Sequence, residues 1–224
     1  GFPFPSNVYS VPDATTATGR RVDFLAAGLP KPKNDYANDP APWNKADGFS
    51  PGGTILTYFP GAAPDGLVSV TDLAPSLLPS SSTVLLDAET GALVLHWAEL
   101  DKSTTDDSAR SLLIHPAVPL RDGHRYIVAV QGLVDAQGAA LPASPAFAAL
   151  RDGTAFDDPS IDARRPLYDD VFAKLSAAGL TRDDLQLAWD FTTASRESNT
   201  AWLVKMRDDA FARLEHAGVI ADPI

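Results

Sequence analysis

Apolar residues from Thr54 onward fall into short runs that are separated by turn residues. The runs "TILTYF" and "SLLIHP" are rich in β-branched and aromatic side chains, which is typical of strands, and Pro116 stops the second run. The stretch "STVLLDAETGALVLHW" has two apolar runs around "DAETG" and predicts a hairpin in which Gly91 takes a positive φ. The stretch "HRYIVAVQGLVDAQGAAL" predicts a further strand and a second turn at "DAQG".

Short strands at this spacing predict a fold class and three regions. The expected fold is mainly β with α: an immunoglobulin-like antiparallel β-sandwich plus a C-terminal helical section. Residues 1–53 are rich in Pro, Asn, Asp and Gly, and they predict a loop region that packs on the sandwich. The sandwich is placed at residues 54–152. A helix–strand–helix section that leads to a further domain is placed at residues 153–224.

Residues after Arg151 predict two helices with a strand between them. In the helical stretches, apolar residues recur at every third or fourth position. The stretch "RRPLYDDVFAKLSAAGL" predicts a helix with Pro166 in its first turn and Gly179 at its end. "LQLAWDFTT" predicts a strand, and a second helix is predicted from an N-cap at Ser195 to Gly218. This helix is expected to bury an apolar stripe. The stripe consists of Leu203, Met206, Ala210, Phe211 and Leu214.

Composition and charge narrow the classes of function. The chain has 224 residues, a formal net charge of −11 and no cysteine, so disulfides, thiolate catalysis and thiolate metal ligands are excluded. Lys and Arg residues form no stripe that would neutralise phosphates, so a nucleic-acid partner is not expected. No apolar run is long enough to span a membrane. The 19 prolines and the many Ser, Thr and Ala residues favour a secreted or cell-envelope protein of bacterial type.

The motif "GFSPG" at residues 48–52 has the G-x-S-x-G spacing of a hydrolase nucleophile elbow, with Ser50 in the nucleophile position. In an elbow, the N–H of the residue after the serine helps to bind the oxyanion. Here that residue is Pro51, which has no N–H, and one such donor is worth roughly 3 kcal/mol of the barrier. The motif also lies before a predicted strand rather than between a strand and a helix. Ser50 is therefore predicted to lie in an ordinary loop.

Histidines and carboxylates form no recognisable site in the sequence. His96 lies near Glu99 and Asp101, but on a strand these three residues do not share one face. His115, His124 and His216 lie at the ends of predicted elements, and adjacent carboxylates such as Asp169–Asp170 are typical of solvated faces. No glycine-rich phosphate loop is present. We therefore assign no catalytic, metal-binding or cofactor-binding residue, and expect no cofactor.

Five stretches in this order resemble one kind of protein. They are "FPFPSN", "WNKADGFSPGGTILTYFPG", "SLLIHPAVPLRDGHRYIVAV", "SPAFAALRDG" and "LQLAWDFTTAS". Together they resemble the N-terminal region of large secreted bacterial lipases and esterases of the virulence factor type. The resemblance implies that an α/β-hydrolase domain with the serine, acid and histidine follows, in the same parent chain or as a processed fragment. It carries over no catalytic residue to this sequence.

The predicted function is that of a non-catalytic accessory domain that docks on a hydrolase domain or shapes it. Trp189, Phe191 and Trp202 are the residues predicted to dock, because aromatic side chains bury large areas at interfaces. The alternative for both tryptophans is a place in the core of this domain.

Two other functions stay open at this point. The first is a free-standing module that binds a polysaccharide or a cell-surface partner through an exposed aromatic platform, formed by Tyr58, Trp97 or Tyr126. The second is a self-contained hydrolase with an unrecognised site, in which converging carboxylates or His96 would line a deep pocket.

Overall fold

The computed structural model describes residues 3–29 and 38–216. Over these residues the fold is mixed β and α, with three antiparallel sheets and three α-helices. The predicted helix end at Gly218 and residues 30–37 of the predicted N-terminal loop region lie outside the described residues.

Eight strands form one two-stranded sheet and two three-stranded sheets in the described ranges. The two-stranded sheet has the order β1-β2, and the larger sheets have the orders β3-β6-β5 and β4-β7-β8. The strand bounds are β1 (Ser10–Pro12), β2 (Arg20–Val22), β3 (Ile55–Tyr58), β4 (Thr83–Asp87), β5 (His96–Leu100), β6 (Ser111–Pro116), β7 (Arg125–Gln131) and β8 (Leu185–Thr192). The predicted strands at β3, β6, β7 and β8 are confirmed.

The hairpin predicted around "DAETG" is confirmed at its turn but not along its strands. Leu86 bridges Leu93, and Gly91 closes the turn at a φ of 73°. Beyond this bridge the chain leaves the sheet, because β4 pairs with β7 whereas β5 pairs with β6. The two runs therefore belong to different sheets, and each is held by a strand that is distant in sequence.

The main core lies between the two three-stranded sheets. One sheet contributes Ile55, Leu112 and Ile114, and the other contributes Val128 and Trp189, among other buried residues of the same cluster. Burial of such side chains is the largest favourable contribution to folding, about 25 cal/mol for each Å² of apolar surface removed from water.

The outer face of the β4-β7-β8 sheet is covered by two helices, α1 (Pro145–Asp152) and α2 (Pro159–Ala177). Phe147 of α1 and Phe172 of α2 pack there against Ile127 and other residues of the sheet. Because both faces of this sheet are covered, every residue of β4 is buried. A continuous apolar run is the expected signature of such a strand.

Helix α2 begins seven residues before the proline that we predicted in its first turn. Asp158 caps the helix by accepting a hydrogen bond of 2.8 Å from the Ser160 N–H, and Pro159 occupies the first turn. Pro166 therefore lies inside the helix, and the predicted start is wrong. Pro166 is exposed, so its missing N–H and its ring affect the solvent side of the helix.

The start of the described chain joins the edge of the β3-β6-β5 sheet at Phe4. Phe4 and Leu56 exchange two backbone hydrogen bonds of 2.8 and 2.6 Å in an isolated antiparallel bridge. The ring of Phe4 also contacts those of Tyr9, Phe24 and Phe49, at centroid distances between 5.7 and 6.2 Å. This aromatic cluster joins the start of the chain to the main core.

Candidate docking surface

The "GFSPG" stretch is a loop that runs beside the end of β8. The Phe49 N–H donates to the Thr192 carbonyl at 2.8 Å, and the Ala194 N–H donates to the Phe49 carbonyl at 2.7 Å. The exposed Ser50 accepts a hydrogen bond of 3.2 Å at its Oγ from the Gly52 N–H. No histidine of the described residues is hydrogen-bonded to Ser50. The geometry is that of a turn and not of a nucleophile elbow.

Asp47 and Gly48 join this loop to the start of the last helix, α3 (Arg196–His216). The buried carboxylate of Asp47 accepts a hydrogen bond of 2.9 Å from the Ser195 N–H. Ser195 in turn accepts the Ser198 N–H at 3.1 Å, which confirms it as the cap of the helix. A Cβ on Gly48 would lie 2.6 Å from backbone atoms of Thr193 and Ala194, so only glycine fits this approach without displacement.

Beyond its capped start, α3 has no buried residue. The prediction that its apolar stripe is buried is therefore wrong for the described residues. Six large apolar side chains of the helix are exposed to solvent: Trp202, Leu203, Val204, Met206, Phe211 and Leu214. Trp202 is 73% exposed and Leu203 is 65% exposed.

The spacing on α3 places part of this apolar set in one row. Leu203, Met206, Ala210 and Leu214 follow each other at intervals of three and four residues, which is the pattern of a helix face that packs on another element. By the same helical spacing, Arg207 borders the row. A helix that exposes such a row is typical of an interaction site.

Trp189 and Phe191 do not form part of this surface. Trp189 is 3% exposed and donates its Nε1–H to the Pro5 carbonyl at 2.8 Å, and Phe191 is 1% exposed and stacks on Tyr126. Both residues belong to the core because they point from β8 towards the facing sheet. Of the three residues predicted to dock, only Trp202 lies at the surface.

The aromatic platform considered for a binding module is not assembled either. Tyr126 is buried, and Trp97 stacks on His115 with their ring centroids 4.8 Å apart. Tyr58 is partly exposed, and its hydroxyl donates to the Ser108 carbonyl at 2.5 Å.

His96 has a structural environment. Its ring is fully buried, and its nitrogens lie 3.0 Å from Thr83 Oγ1 and 2.8 Å from the Val94 carbonyl. Burial lowers the pKa of His96, which favours the neutral ring. In the described part of the chain no group of three His, Asp or Glu side chains is arranged to hold a metal ion.

One contact between a hydroxyl and an imidazole was not predicted from the sequence. Thr54 Oγ1 lies 3.2 Å from His115 Nδ1, and His115 Nε2 lies 3.2 Å from Glu99 Oε1. The second approach does not have hydrogen-bond geometry, and Nε2 has no hydrogen-bond partner among the described residues. The pairing of β6 with β3 on one side and with β5 on the other produces this proximity, which residue spacing along the chain does not reveal.

The chain matches no family model and no curated protein. The resemblance to lipase N-terminal regions therefore stays a prediction. Among the described helices, none has the length and apolar character needed to cross a bilayer.

Proposed function

We propose that this chain is a non-catalytic accessory domain of a secreted serine hydrolase of the lipase or esterase type. In this proposal α3 docks on the α/β-hydrolase domain. The observation that carries it is that no residue of α3 is buried and that six of its large apolar side chains are exposed to solvent. In proteins most of the stability of a helix comes from packing of its apolar face, so packing against a partner is the expected source of stability for α3.

The chemistry of the helix and the resemblance together indicate the partner. The row Leu203–Met206–Ala210–Leu214 requires an apolar groove on the partner. In the family that this sequence resembles, the hydrolase domain follows the matching region, so it would be adjacent to the final helix. A secreted or cell-envelope location is part of the same proposal.

An immunoglobulin-like topology is the fold that we propose for the two larger sheets. If β3 to β8 are taken as strands B to G, the orders β3-β6-β5 and β4-β7-β8 become B-E-D and C-F-G, which are the pairings of an immunoglobulin domain. The Phe4–Leu56 bridge then takes the place of strand A beside strand B.

A second feature supports the same topology. Tyr126 lies near the start of β7, and its hydroxyl accepts the Arg121 N–H at 2.8 Å. A tyrosine near the start of strand F that bonds to the backbone a few residues upstream is the tyrosine corner of immunoglobulin-like domains. Helices α1 and α2 are then an insertion between strands F and G.

Binding to the hydrolase domain tests the docking proposal. The proposal expects an α/β-hydrolase domain to follow in the parent chain, and that domain is titrated with this chain by calorimetry. The variant Leu203→Asp is expected to weaken binding about tenfold or more, because it places a charge in an apolar contact. Ala212→Asp lies on the opposite side of the same helix by spacing and serves as the matched control.

Three outcomes would count against the proposal. One is a reading frame beyond residue 224 that encodes no α/β-hydrolase domain. Another is binding that Leu203→Asp leaves unchanged. The third is dimerisation of this chain that Leu203→Asp abolishes, since the helix would then serve self-association.

One observation favours a second candidate function, a self-contained hydrolase. The Thr54 hydroxyl lies beside the His115 imidazole, which in turn lies beside the Glu99 carboxylate. Catalytic sites with an activated nucleophile place a hydroxyl, a base and an orienting group in this spatial order. The misaligned carboxylate contact is the reason that this candidate stands second.

A further inference from the structure

Two neighbouring clefts separate α2 from residues 3–10 and from the sheets. The polar cleft, of about 470 Å³, is lined by Ser6, Asn7, Arg20, Trp189 and Asp190 with others. The apolar cleft, of about 600 Å³, is lined by Tyr58, Phe59, Ala146, Phe147, Leu150 and Ile161 with others. The two clefts share the lining residues Pro3, Arg164, Tyr168 and Leu187, so they are adjacent at these side chains.

The charges that line the clefts favour an anion. Only Arg20, Arg164 and Asp190 are charged among the lining residues, so the lining carries a net positive charge in a chain whose net charge is −11. The carboxylate of Asp190 already has two hydrogen-bond donors within the protein. Arg125 Nε donates to it at 2.7 Å, and Asn7 Nδ2 donates to it at 2.9 Å. Its charge is therefore largely neutralised from within the protein.

Arg164 is the cation that remains available at the junction of the clefts. It is exposed and has no ion pair with a carboxylate of the described residues. The adjacent Arg165, in contrast, is held by Asp162 at 2.7 Å and by the carbonyls of Ala149 and Thr154. Arg20 is also engaged, since its guanidinium donates to Ser10 Oγ and to two backbone carbonyls.

We propose that the two clefts together bind an amphiphile with a single carboxylate, of the medium-chain fatty acid class. The acyl chain would lie in the apolar cleft between α1 and Tyr58, and the carboxylate would pair with Arg164 at the junction. A guanidinium matches a carboxylate by two parallel hydrogen bonds, and the volume of the clefts is in the range of small-ligand sites. This proposal rests on the clefts alone and is independent of the docking role of α3.

Binding of three probes separates the two halves of the site. Decanoate has the chain and the charge, decanol has the chain alone, and acetate has the charge alone. Isothermal calorimetry below the critical micelle concentration is expected to detect decanoate binding. Decanol and acetate are each expected to bind about tenfold more weakly, or more weakly still, because each loses one set of contacts. Decyl phosphate tests whether the anion site prefers a phosphate.

Two variants test whether decanoate binds in these two clefts. Arg164→Gln is expected to weaken decanoate binding about tenfold and to leave decanol binding unchanged. Ala146→Trp, which fills the apolar cleft from α1, is expected to weaken both. Arg213→Gln removes an exposed charge far along the sequence on α3 and is the control. Circular dichroism and thermal melts of each variant confirm folding.

The proposal is overturned by any of three results. These are no decanoate binding by the unmodified chain, binding that neither Arg164→Gln nor Ala146→Trp changes, and equal binding of acetate and decanoate. Tighter binding of decyl phosphate than of decanoate would overturn the assignment to a carboxylate.

Discussion

The carboxylate of Asp47 accepts a hydrogen bond of 2.9 Å from the backbone N–H of Ser195, across 148 positions of the sequence. This bond satisfies a donor at the start of α3, which would otherwise lie unpaired near the end of β8. The loop that has the spacing of a nucleophile elbow therefore holds the first turn of the exposed helix. Its role in the structure is to position α3.

Replacing Asp47 is expected to loosen this attachment. Asp47→Ala removes a buried acceptor, and the free energy of unfolding is expected to fall by about 1–3 kcal/mol. Asp47→Asn keeps an acceptor oxygen and is expected to lose less. Chemical denaturation measures the stability, and hydrogen exchange at Ser195 and Ser198 measures the attachment. Equal stability of Asp47→Ala and the unmodified chain would show that the bond does not form in solution.

Two glycines of the same loop differ in the space around them. Gly48→Ala places a Cβ 2.6 Å from the backbone of Thr193 and Ala194, so we expect a loss of about 1–3 kcal/mol of stability. Nothing lies within 4 Å of the corresponding Cβ at Gly52, so Gly52→Ala is expected to be nearly neutral. Thermal melts of both variants give the comparison, and similar losses in both would contradict it.

The apolar residues of α3 are expected to contribute little to the stability of the isolated chain. Leu203→Asp should change the free energy of unfolding by less than about 0.5 kcal/mol, because the side chain is exposed. Leu175→Ala in α2 is the contrasting variant, since Leu175 is 1% exposed and its truncation should cost about 2–5 kcal/mol. A loss above about 2 kcal/mol for Leu203→Asp would show that the helix packs on this domain.

Stability at high pH depends on Tyr168. Burial raises the pKa of Tyr168 to about 12, and its hydroxyl donates to the Ala188 carbonyl at 2.9 Å. The unfolded tyrosine titrates near its usual value of about 10. Between these two values the unfolded state releases a proton that the folded state keeps, so stability is intact below about pH 10 and falls as the pH rises towards 12.

The variant Tyr168→Phe isolates this contribution. From about pH 9 to about pH 11 the unmodified chain is expected to lose about 1 kcal/mol through Tyr168, and the variant should lose less by that amount. Burial also raises the pKa values of Tyr9 and Tyr126, so part of the decline should remain in the variant. Identical pH profiles of the two proteins would refute the assignment to Tyr168.

Ester hydrolysis distinguishes the two candidate functions. We expect no turnover of short p-nitrophenyl esters, no change with Ser50→Ala, and no labelling of Ser50 by a fluorophosphonate, because Pro51 supplies no N–H to an oxyanion. Turnover that His115→Ala abolishes would support the second candidate, with Thr54 as nucleophile. Labelling of Ser50 itself would refute the accessory-domain function directly.

Sequence patterns were sufficient to predict those strands and helix caps that depend on residues close by in the chain. The runs at β3, β6, β7 and β8 were predicted because their β-branched and aromatic residues favour extended backbone. Ser195 was predicted as a cap because its hydroxyl bonds within its own turn. The loop character of Ser50 followed from the chemistry of Pro51 and from the position of the motif before a predicted strand.

Contacts between segments that are distant in sequence decided which side chains and which helix faces are buried. Periodicity shows that a helix has an apolar row, but not whether the row meets the core, as Phe172 in α2 does, or water, as Leu203 in α3 does. The burial of Trp189 depends on the facing sheet and on Pro5, which are distant in sequence. The sequence by itself therefore determined the element types at β3, β6, β7, β8, α2 and α3, but not the strands β1 and β2 or the helix α1. The tertiary structure determined which faces are buried, because burial depends on what the folded chain places opposite each face.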